Sequence, residues 1–234
     1  MCNEKMIDTH VHLGKWTTNY FYNLENSIKD IEKVYKDYHG IVVMPTETLE
    51  NAKVANILKR SPLKTKFAAW GTPGNYHSLK RLEFDAIKIH PAFSDTFFSD
   101  PLYDPLVELA ERREVPMLVH CGSAPHTHYM NVIYRAEKFP RVKFVIGHLG
   151  GKPYQYQWRC PLDIKRLTNV YIDTTMRVMW WTLEHCQRII GSERMMFGSD
   201  YPLMHPSVGV ASILNADLNH EDVLYNTAHN IFWK

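Results

Sequence analysis

The chain has 234 residues, of which 45% are hydrophobic, and its formal net charge is +2. This length and composition are enough for one sizeable core, and no linker, repeat or low-complexity tract divides the sequence, so we expect one domain over residues 1–234. The small net charge argues against binding to nucleic acid or to an anionic membrane, and no uncharged apolar run reaches the roughly 18 residues of a membrane span.

Short apolar runs that are typical of buried parallel strands alternate with helical patterns along the chain. The predicted strands are residues 6–12, 40–45, 66–72, 86–91, 116–122, 143–150, 170–175 and 195–202. Eight strands that alternate with helices predict an α/β fold, the (β/α)8 TIM barrel. At about 29 residues per unit, the chain is close to the minimal length for that barrel.

The segments between the strands differ in how clearly they predict helices. Asp104 followed by Pro105 predicts a helix that is capped by the aspartate and has proline in its first turn. Residues 219–232 predict a final helix. Residues 151–163 carry only weak helix signals, so we expect this segment to be the least regular part of the chain.

Side chains that bind metals or transfer protons stand at the ends of several predicted strands. They are His10, His12, His120, His148 and Asp200. Alternate residues of a strand share one face, so His10 and His12 are expected to point the same way. In a parallel barrel the carboxyl ends of the strands meet at one mouth, where barrel enzymes carry their chemistry. The five residues together therefore predict a metal site at that mouth.

The motifs around these residues are IDTHVH, AIKIHP, LVHCG, VIGHLGG, VYIDTT and FGSDYP. In this order they resemble the strand motifs of the amidohydrolase superfamily, and most of all its amidohydrolase-related branch, which includes aminocarboxymuconate-semialdehyde decarboxylase. The resemblance implies a barrel with one divalent metal, for which His10, His12, His120 and Asp200 match the ligands. It also implies that His148 is the catalytic histidine beside the metal-bound water. The chain is short for this branch, so insertions that cover the substrate are expected to be reduced.

Three imidazoles and one carboxylate suit zinc and leave a coordination position for water. Zinc is therefore our first choice, although nickel, cobalt, iron or manganese accept the same donors. A bound ion lowers the pKa of its water toward about 7. We expect His148, titrating near neutrality, to transfer a proton, and Asp200 to orient or deprotonate the water as well as to bind the ion.

Lys88 leaves the number of metal ions open. In two-metal relatives a lysine on this strand is carboxylated and bridges the ions, so the alternative cofactor prediction is two metals with a carboxylated Lys88. With one metal, Lys88 is a cation that faces a substrate carboxylate or enolate. A further alternative is that it pairs with an inward acid such as Asp8.

Cations and aromatic rings follow the predicted strands and indicate the substrate. Arg159, Arg177 and Lys88 are the predicted substrate-binding residues, because a guanidinium holds a carboxylate through two parallel hydrogen bonds. Aromatic residues near the mouth include Trp16, Tyr20, Phe21, Tyr22, Trp70 and Phe93. Such a pocket fits a small, flat acid. The alternative for the arginines is pairing with surface acids such as Glu184 or Asp163.

Three functions follow from these observations. The first is a metal-dependent hydrolase whose metal-bound water attacks an amide, lactone or ester of a small carboxylate-bearing substrate. The second is a non-oxidative decarboxylase or hydratase that acts on an unsaturated or aromatic carboxylate, and the third is a non-catalytic metal-binding protein. The expected partner is a small molecule, and a homo-oligomer is left open. The residues MCNEKM leave no room for a signal peptide and the cysteines lack C-x-x-C spacing, so we expect a cytoplasmic protein.

Overall fold

A computed structural model describes residues 5–17 and 24–233, so the predicted mouth residues Tyr20, Phe21 and Tyr22 lie outside the described residues. One sheet, with its strands in the order β2-β1-β3-β4-β5-β6-β7-β8-β9, forms the centre of the fold, and only the β1–β2 pair is antiparallel. The strands are β1 (Ile7–Lys15), β2 (Glu25–Asn26), β3 (Gly40–Pro45), β4 (Thr65–Gly71), β5 (Ala86–Ile89), β6 (Met117–Val119), β7 (Phe144–Ile146), β8 (Val170–Asp173) and β9 (Met195–Met196). All eight predicted strands are therefore present, and the short β2 is an addition.

Helices follow the parallel strands, and most of them cover the outside of the sheet. They are α1 (Ile28–Tyr35), α2 (Asn51–Leu58), α3 (Tyr76–Leu79), α4 (Pro91–Ser94), α5 (Asp104–Arg113), α6 (Met130–Lys138), α7 (Tyr154–Ile164), α8 (Trp180–Ile190), α9 (Pro206–Leu214) and α10 (Thr227–Phe232). No helix in the described part of the chain is both long and apolar enough to cross a membrane.

The chain after β9 returns to β1 and joins the two ends of the sheet. The amide of Asp200 donates to the carbonyl of His10 at 2.8 Å, and the amide of His12 donates to the carbonyl of Tyr201 at 2.8 Å. Val11 and Tyr201 also form a parallel bridge. Eight parallel strands with this closure confirm the predicted α/β barrel.

The interior of the barrel changes from apolar to polar along the strands. Its apolar part consists of Ile7, Val42, Met44, Ala68, Ala86, Leu118, Val145 and Met196, together with Ala228 and Phe232 of α10. Because strand residues two apart share a face, Lys88 follows Ala86 into the interior and His120 follows Leu118. The carboxyl ends of the strands therefore enclose ionisable side chains above an apolar base.

A register shift in β1 decides which of its side chains face the interior. Ile7 lies in the interior cluster, and strict alternation from Ile7 would place Val11 there as well. The pairing of β1 with β3 shifts between Asp8 and Val11, and Val11 packs in the outer core between the sheet and the helices. His10 and His12 are consequently turned inward, toward the carboxyl end of the last strand.

Two predictions about helices are wrong. The segment expected to be least regular forms α7, because Gln157, Cys160 and Ile164 recur at helical spacing and are buried. Asp104 does not cap α5 but lies in its first turn, where its carboxylate pairs with Arg135 and Lys138. The predicted final helix is present as a π-helical turn followed by α10.

Candidate metal centre and active site

Three of the predicted metal ligands converge at the carboxyl ends of the strands. The ligand atoms of His10, His12 and Asp200 all lie within 4.8 Å of one another, and all three side chains are buried. The Nε2 atom of His12 is 3.2 Å from Oδ1 of Asp200, and the Nε2 atom of His10 is 3.7 Å from the same oxygen. Two imidazole nitrogens and a carboxylate oxygen in one small volume are a donor set that divalent transition metals accept.

Hydrogen bonds on the far side of each imidazole orient the two histidines. The Nδ1 atom of His10 lies 2.8 Å from Oδ2 of Asp173, and the Nδ1 atom of His12 lies 3.3 Å from the carbonyl oxygen of Pro45. Both oxygens accept, so each Nδ1 carries the hydrogen and each Nε2 presents a lone pair toward Asp200. Metal-binding histidines are commonly held in this way, so the residues present fit a divalent ion.

His120 and His148 stand beside this group and contact each other. Their Nδ1 and Nε2 atoms, respectively, are 2.9 Å apart, and Nδ1 of His148 is 4.0 Å from Oδ2 of Asp200. His120 is thus next to the three converging residues without belonging to their compact group. Its role as the fourth ligand, and the catalytic role of His148, stay predictions.

The backbone of the GHLGG motif is left-handed where it presents His148. His148 has a φ of 59° and Leu149 a φ of 53°, values that side-chain-bearing residues rarely adopt. The amide of His148 donates to Oδ1 of Asp173 at 2.8 Å, which holds the turn. Gly151 has a φ of 91°, and a Cβ there would lie 2.6 Å from the amide nitrogen of Gly122. The motif therefore uses glycine where the turn passes close to the end of β6.

Burial keeps the imidazoles of His12, His120 and His148 neutral, because it lowers the pKa of each. It lowers the pKa of His12 to about 4 and the pKa of His148 to about 3. Burial alone would raise the pKa of Asp200, but the surrounding imidazoles of His12, His10 and His148 outweigh burial, so that pKa is well below its usual value. Neutral imidazoles and an ionised carboxylate are the forms that bind metals. The expectation that His148 titrates near neutrality is wrong for this chain, because its imidazole is removed from water.

Lys88 is buried and contacts the candidate metal ligand His10. Its Nζ atom is 2.9 Å from Nε2 of His10, and burial lowers its pKa to about 8 although Asp200 favours the charged form. The suggested pairing of Lys88 with Asp8 is wrong, because the Asp8 carboxylate accepts a hydrogen bond from the hydroxyl of Tyr35 at 2.8 Å and others from backbone amides. Lys88 thus stands inside the barrel, beside the predicted ion.

A cavity of about 340 Å³ opens next to these residues and contains Arg177. Its lining includes His120, His148, Asp200 and Arg177, with apolar surface from residues such as Leu203. Arg177 is only 7% exposed, its Nε atom is buried without a hydrogen-bond partner, and its guanidinium forms no ion pair within residues 5–17 and 24–233. Burial lowers the pKa of Arg177, although Asp173 and Asp200 favour its charged form. A buried guanidinium without a partner among the described residues is a candidate site for an anionic group.

The structure does not bring Arg159 into this group. Its side chain is 68% exposed, and its Nε atom is 3.0 Å from Oδ1 of Asp163 one helical turn further along α7. This is the surface pairing considered above as the alternative. Because the side chain of Arg159 follows the outer face of a helix, it does not line the cavity.

Two further residues of the site were not assigned a role from the sequence. Asp173, in the motif VYIDTT, orients His10 and the turn at His148. It could have been recognised as an acid at the end of a buried strand, like Asp200. His90, in AIKIHP, stacks on the rings of His120 and Trp70 at the same mouth.

Solved structures match this chain over almost its whole length at low sequence identity. The 5-carboxyvanillate decarboxylase from Novosphingobium aromaticivorans, complexed with manganese and 4-hydroxy-3-methoxy-5-nitrobenzoic acid, is 13% identical over 100% of both chains, with a TM-score of 0.74. The 2,6-dihydroxybenzoate decarboxylase from Rhizobium is 14% identical over 98% of this chain and 99% of that chain, with a TM-score of 0.70. A protein assigned as a 2-pyrone-4,6-dicarboxylic acid hydrolase from Pseudomonas putida is 16% identical over 98% of this chain and 97% of that chain, with a TM-score of 0.74. These likenesses establish a shared barrel fold.

Among proteins with curated functions, none matches the sequence of this chain. The family model described as amidohydrolase matches residues 7–232, which include β1 to β9 and all the residues of the candidate site. The resemblance that the strand motifs indicate is thereby confirmed, and the chain belongs to the amidohydrolase family.

Proposed function

We propose that this protein is a metal-dependent, non-oxidative decarboxylase of a small aromatic carboxylic acid. The observation that carries the proposal is the buried guanidinium of Arg177, which has no partner among the described residues and shares a cavity with Asp200 and His148. Two of the three solved structures described above are decarboxylases of aromatic acids. Hydrolysis, the first interpretation of the sequence, therefore becomes the second candidate.

One divalent ion would be held by His10, His12 and Asp200, with His120 as the predicted fourth ligand. When bound, the ion supplies positive charge that stabilises the negative charge developing on the substrate. The donor set suits zinc, and manganese is the second choice because the decarboxylase from Novosphingobium aromaticivorans is complexed with manganese. The alternative of two ions and a carboxylated Lys88 is distinguished by counting ions per chain.

Arg177 would bind the carboxylate of the acid in the cavity through two charge-assisted hydrogen bonds, in a bidentate arrangement. A guanidinium stabilises a carboxylate before CO2 leaves as well as during the reaction, so its contribution is mainly to binding. Replacing Arg177 should consequently raise KM more than it lowers kcat. The apolar part of the lining suits the faces of a single flat ring.

Decarboxylation breaks the bond between the ring carbon and the carboxylate carbon. CO2 departs, and the electron pair left on the ring carbon must take up one proton. We assign this proton transfer to His148, whose ring borders the cavity and contacts His120. Its pKa is about 3 in the structure, and an acid bound beside it would favour the protonated imidazole, so substrate binding is expected to raise that pKa.

Hydrolysis of a lactone of a small acid is the second candidate. It is supported by the likeness to the protein assigned as a 2-pyrone-4,6-dicarboxylic acid hydrolase, which has the same fold at similar identity. The same cavity, Arg177 and ligand set would serve this reaction. The two candidates differ in their products, since one releases CO2 and the other opens a ring without loss of carbon.

Product analysis with three acids separates these functions. The metal-loaded protein would be incubated with 2,6-dihydroxybenzoate, 5-carboxyvanillate and 2-pyrone-4,6-dicarboxylate, and CO2 and ring-opened acids would be quantified. We expect CO2 from at least one of the benzoates, with one solvent deuterium on the product ring in D2O. The control is Asp200→Asn, which should release none. A ring-opened product without CO2 would replace the proposal by the hydrolase.

A further inference from the structure

Asp200, the last of the candidate ligands along the chain, has a left-handed backbone. Its φ is 67°, in a region that residues with side chains rarely adopt and that persists where the surrounding structure holds it. Asp200 also lies beyond the end of β9 at Met196, outside the ladder between β8 and β9. Contacts other than this ladder must therefore keep its carboxylate beside His10 and His12.

Three successive amides hold the backbone around Asp200. The amide of Ser199 donates to Oδ1 of Asp8 at 3.0 Å. The amide of Asp200 donates to the carbonyl of His10 at 2.8 Å, and the amide of Tyr201 donates to the hydroxyl oxygen of Ser199 at 3.0 Å. Two of these three acceptors belong to β1, so the segment that carries Asp200 is hydrogen-bonded directly to the strand that carries the two candidate histidines.

One oxygen of Asp8 joins the two segments. Oδ1 accepts from the amide of Ser199 and also from the amide of His10, in both cases at 3.0 Å. The side chain of Asp8 is fully buried, so bulk water does not compete for these hydrogen bonds. One amide belongs to a candidate ligand and the other directly precedes Asp200. The shared oxygen therefore fixes the separation of the two ligand-bearing segments.

The other oxygen of Asp8 is held by two hydroxyl groups. The hydroxyl of Tyr35, the last residue of α1, donates to Oδ2 of Asp8 at 2.8 Å. Since its hydrogen is used there, the hydroxyl of Ser199, 3.0 Å away, donates to the oxygen of Tyr35. Tyr35 and Ser199 are fully buried as well. All side-chain oxygens of these three residues, the Asp8 network, thus have partners, and a buried polar network that is fully satisfied is rigid.

We propose that the Asp8 network positions the metal ligands and thereby determines the affinity and the coordination geometry of the bound ion. Its three residues act through the backbone of His10 and of Asp200, which they hold at a fixed separation, with Asp200 in its left-handed conformation. This inference rests on the metal site of the proposed function, and it holds whether the reaction is decarboxylation or hydrolysis.

Two variants remove hydroxyl groups of the network without touching a candidate ligand. Tyr35→Phe keeps the ring and removes the donor to Oδ2 of Asp8. Losing a contact that orients metal ligands typically weakens metal binding by about 10- to 100-fold, and we expect a rise of this size in the Kd for Zn²⁺, measured by chelator competition. Ser199→Ala removes the partner of the Tyr201 amide and should have a similar effect. Because both changes disrupt one network, the double variant should lose less than the product of the single effects.

Tyr38→Phe is the matched control for these variants. The ring of Tyr38 packs edge-on against that of Tyr35, with centroids 4.8 Å apart. No hydrogen bond links its hydroxyl to Asp8, Tyr35 or Ser199. Tyr38→Phe therefore removes a hydroxyl from the same surroundings while leaving the network complete, and it should leave the affinity for Zn²⁺ unaltered.

The visible spectrum of the Co²⁺-loaded protein separates positioning from a merely structural role. Cobalt accepts the same donors as zinc, and its d–d bands change in energy and intensity with the coordination geometry. Each protein would be measured folded and fully loaded, so that a loss of stability alone does not alter the spectrum. We expect Tyr35→Phe and Ser199→Ala to differ from the wild-type protein and Tyr38→Phe to match it.

Unchanged Zn²⁺ affinity and an unchanged Co²⁺ spectrum in Tyr35→Phe and Ser199→Ala, with only a lower Tm, would make the network structural and overturn the inference. Either variant alone decides this if the other does not fold. A wild-type protein that binds neither Zn²⁺ nor Co²⁺ would contradict the metal site itself, and with it both this inference and the proposed function. If the variants behave as expected but the wild-type protein releases no CO2 from any acid, the positioning role stands and decarboxylation is wrong.

Discussion

Replacing Arg177 by methionine should change stability and ligand affinity in opposite directions. The side chain is 7% exposed and its Nε atom is buried without a partner in the described part of the chain. Methionine keeps most of the length of the side chain and removes the charge. The variant therefore tests whether this guanidinium binds an anionic ligand or stabilises the folded state.

The sign of the stability change follows from two opposing effects. Burial disfavours the charged guanidinium, whereas Asp173 and Asp200 favour it, and the lowered pKa of Arg177 shows that burial outweighs the attraction. Removing one unsatisfied buried donor should raise the free energy of unfolding by about 1–3 kcal/mol. The lost attraction to the two carboxylates lowers it again, so we expect a net increase of about 1 kcal/mol in the free energy of unfolding. For a chain of this size that corresponds to a rise in Tm of about 2–4 °C.

The same replacement should weaken the binding of acids. A charge-assisted hydrogen bond contributes about 1.5–3 kcal/mol, so the Kd of 2,6-dihydroxybenzoate should rise roughly 10- to 150-fold. Thermal melting of the ligand-free protein and calorimetric titration with the acid measure the two effects separately. Arg159→Met is the matched control, because that side chain is exposed and pairs with Asp163 at the surface, and it should change stability by less than about 0.5 kcal/mol and leave the Kd unaltered.

The reasoning would be refuted if Arg177→Met lowered Tm by several degrees and left the affinity for the acid unchanged. Arg177 would then contribute to the fold through attraction to Asp173 and Asp200, and the cavity would lack its anion-binding group. A fall in both the Tm and the affinity for the acid would mean that the attraction of Arg177 to the two carboxylates is larger than the cost of burying its charge.

Three other predictions concern residues at or beside the candidate metal site. His148→Asn should keep its metal content and lower turnover by about 100-fold or more, as expected for a proton-transfer group, and loss of the metal in elemental analysis would instead make His148 a ligand. Asp173→Asn removes the carboxylate that orients His10 and should weaken metal binding by about 10- to 100-fold in a chelator competition, whereas unchanged affinity would show that His10 is positioned by other contacts. Burial raises the pKa of Asp8 to about 6 from a usual value near 3.8, so the protonated carboxyl stabilises the fold fully below pH 3.8 and this contribution is lost as the pH rises through 6. The free energy of urea unfolding should therefore fall by about 3 kcal/mol between pH 4 and 7 on account of Asp8, and Asp8→Asn should abolish this part of the pH dependence. Parallel pH curves for the two proteins would contradict the prediction.

The strands and their terminal residues could be predicted from the sequence because each strand carries its own local signal. Apolar, β-branched runs mark the eight strands, and residues such as His120 and Asp200 stand where those runs end. Once the runs are placed in a parallel barrel, their carboxyl ends must meet at one mouth. The convergence of His10, His12 and Asp200 follows from that geometry.

Features that depend on tertiary packing could not be predicted in the same way. The inward orientation of His10 and His12 relative to Ile7 requires a register shift, which simple alternation does not contain. Arg159 follows a strand in the sequence, but the turn after His148 and the start of α7 direct it to solvent. The pKa of His148 depends on its removal from water by neighbours that are distant in the sequence.

Anomalous diffraction from crystals of the metal-loaded protein with 2,6-dihydroxybenzoate tests the central claim most directly. We predict one transition-metal peak per chain between His10, His12 and Asp200, with His120 completing the ligands and the carboxylate of the acid on Arg177. Two peaks bridged by a carboxylated Lys88, or an acid bound away from Arg177, would contradict this account of the site.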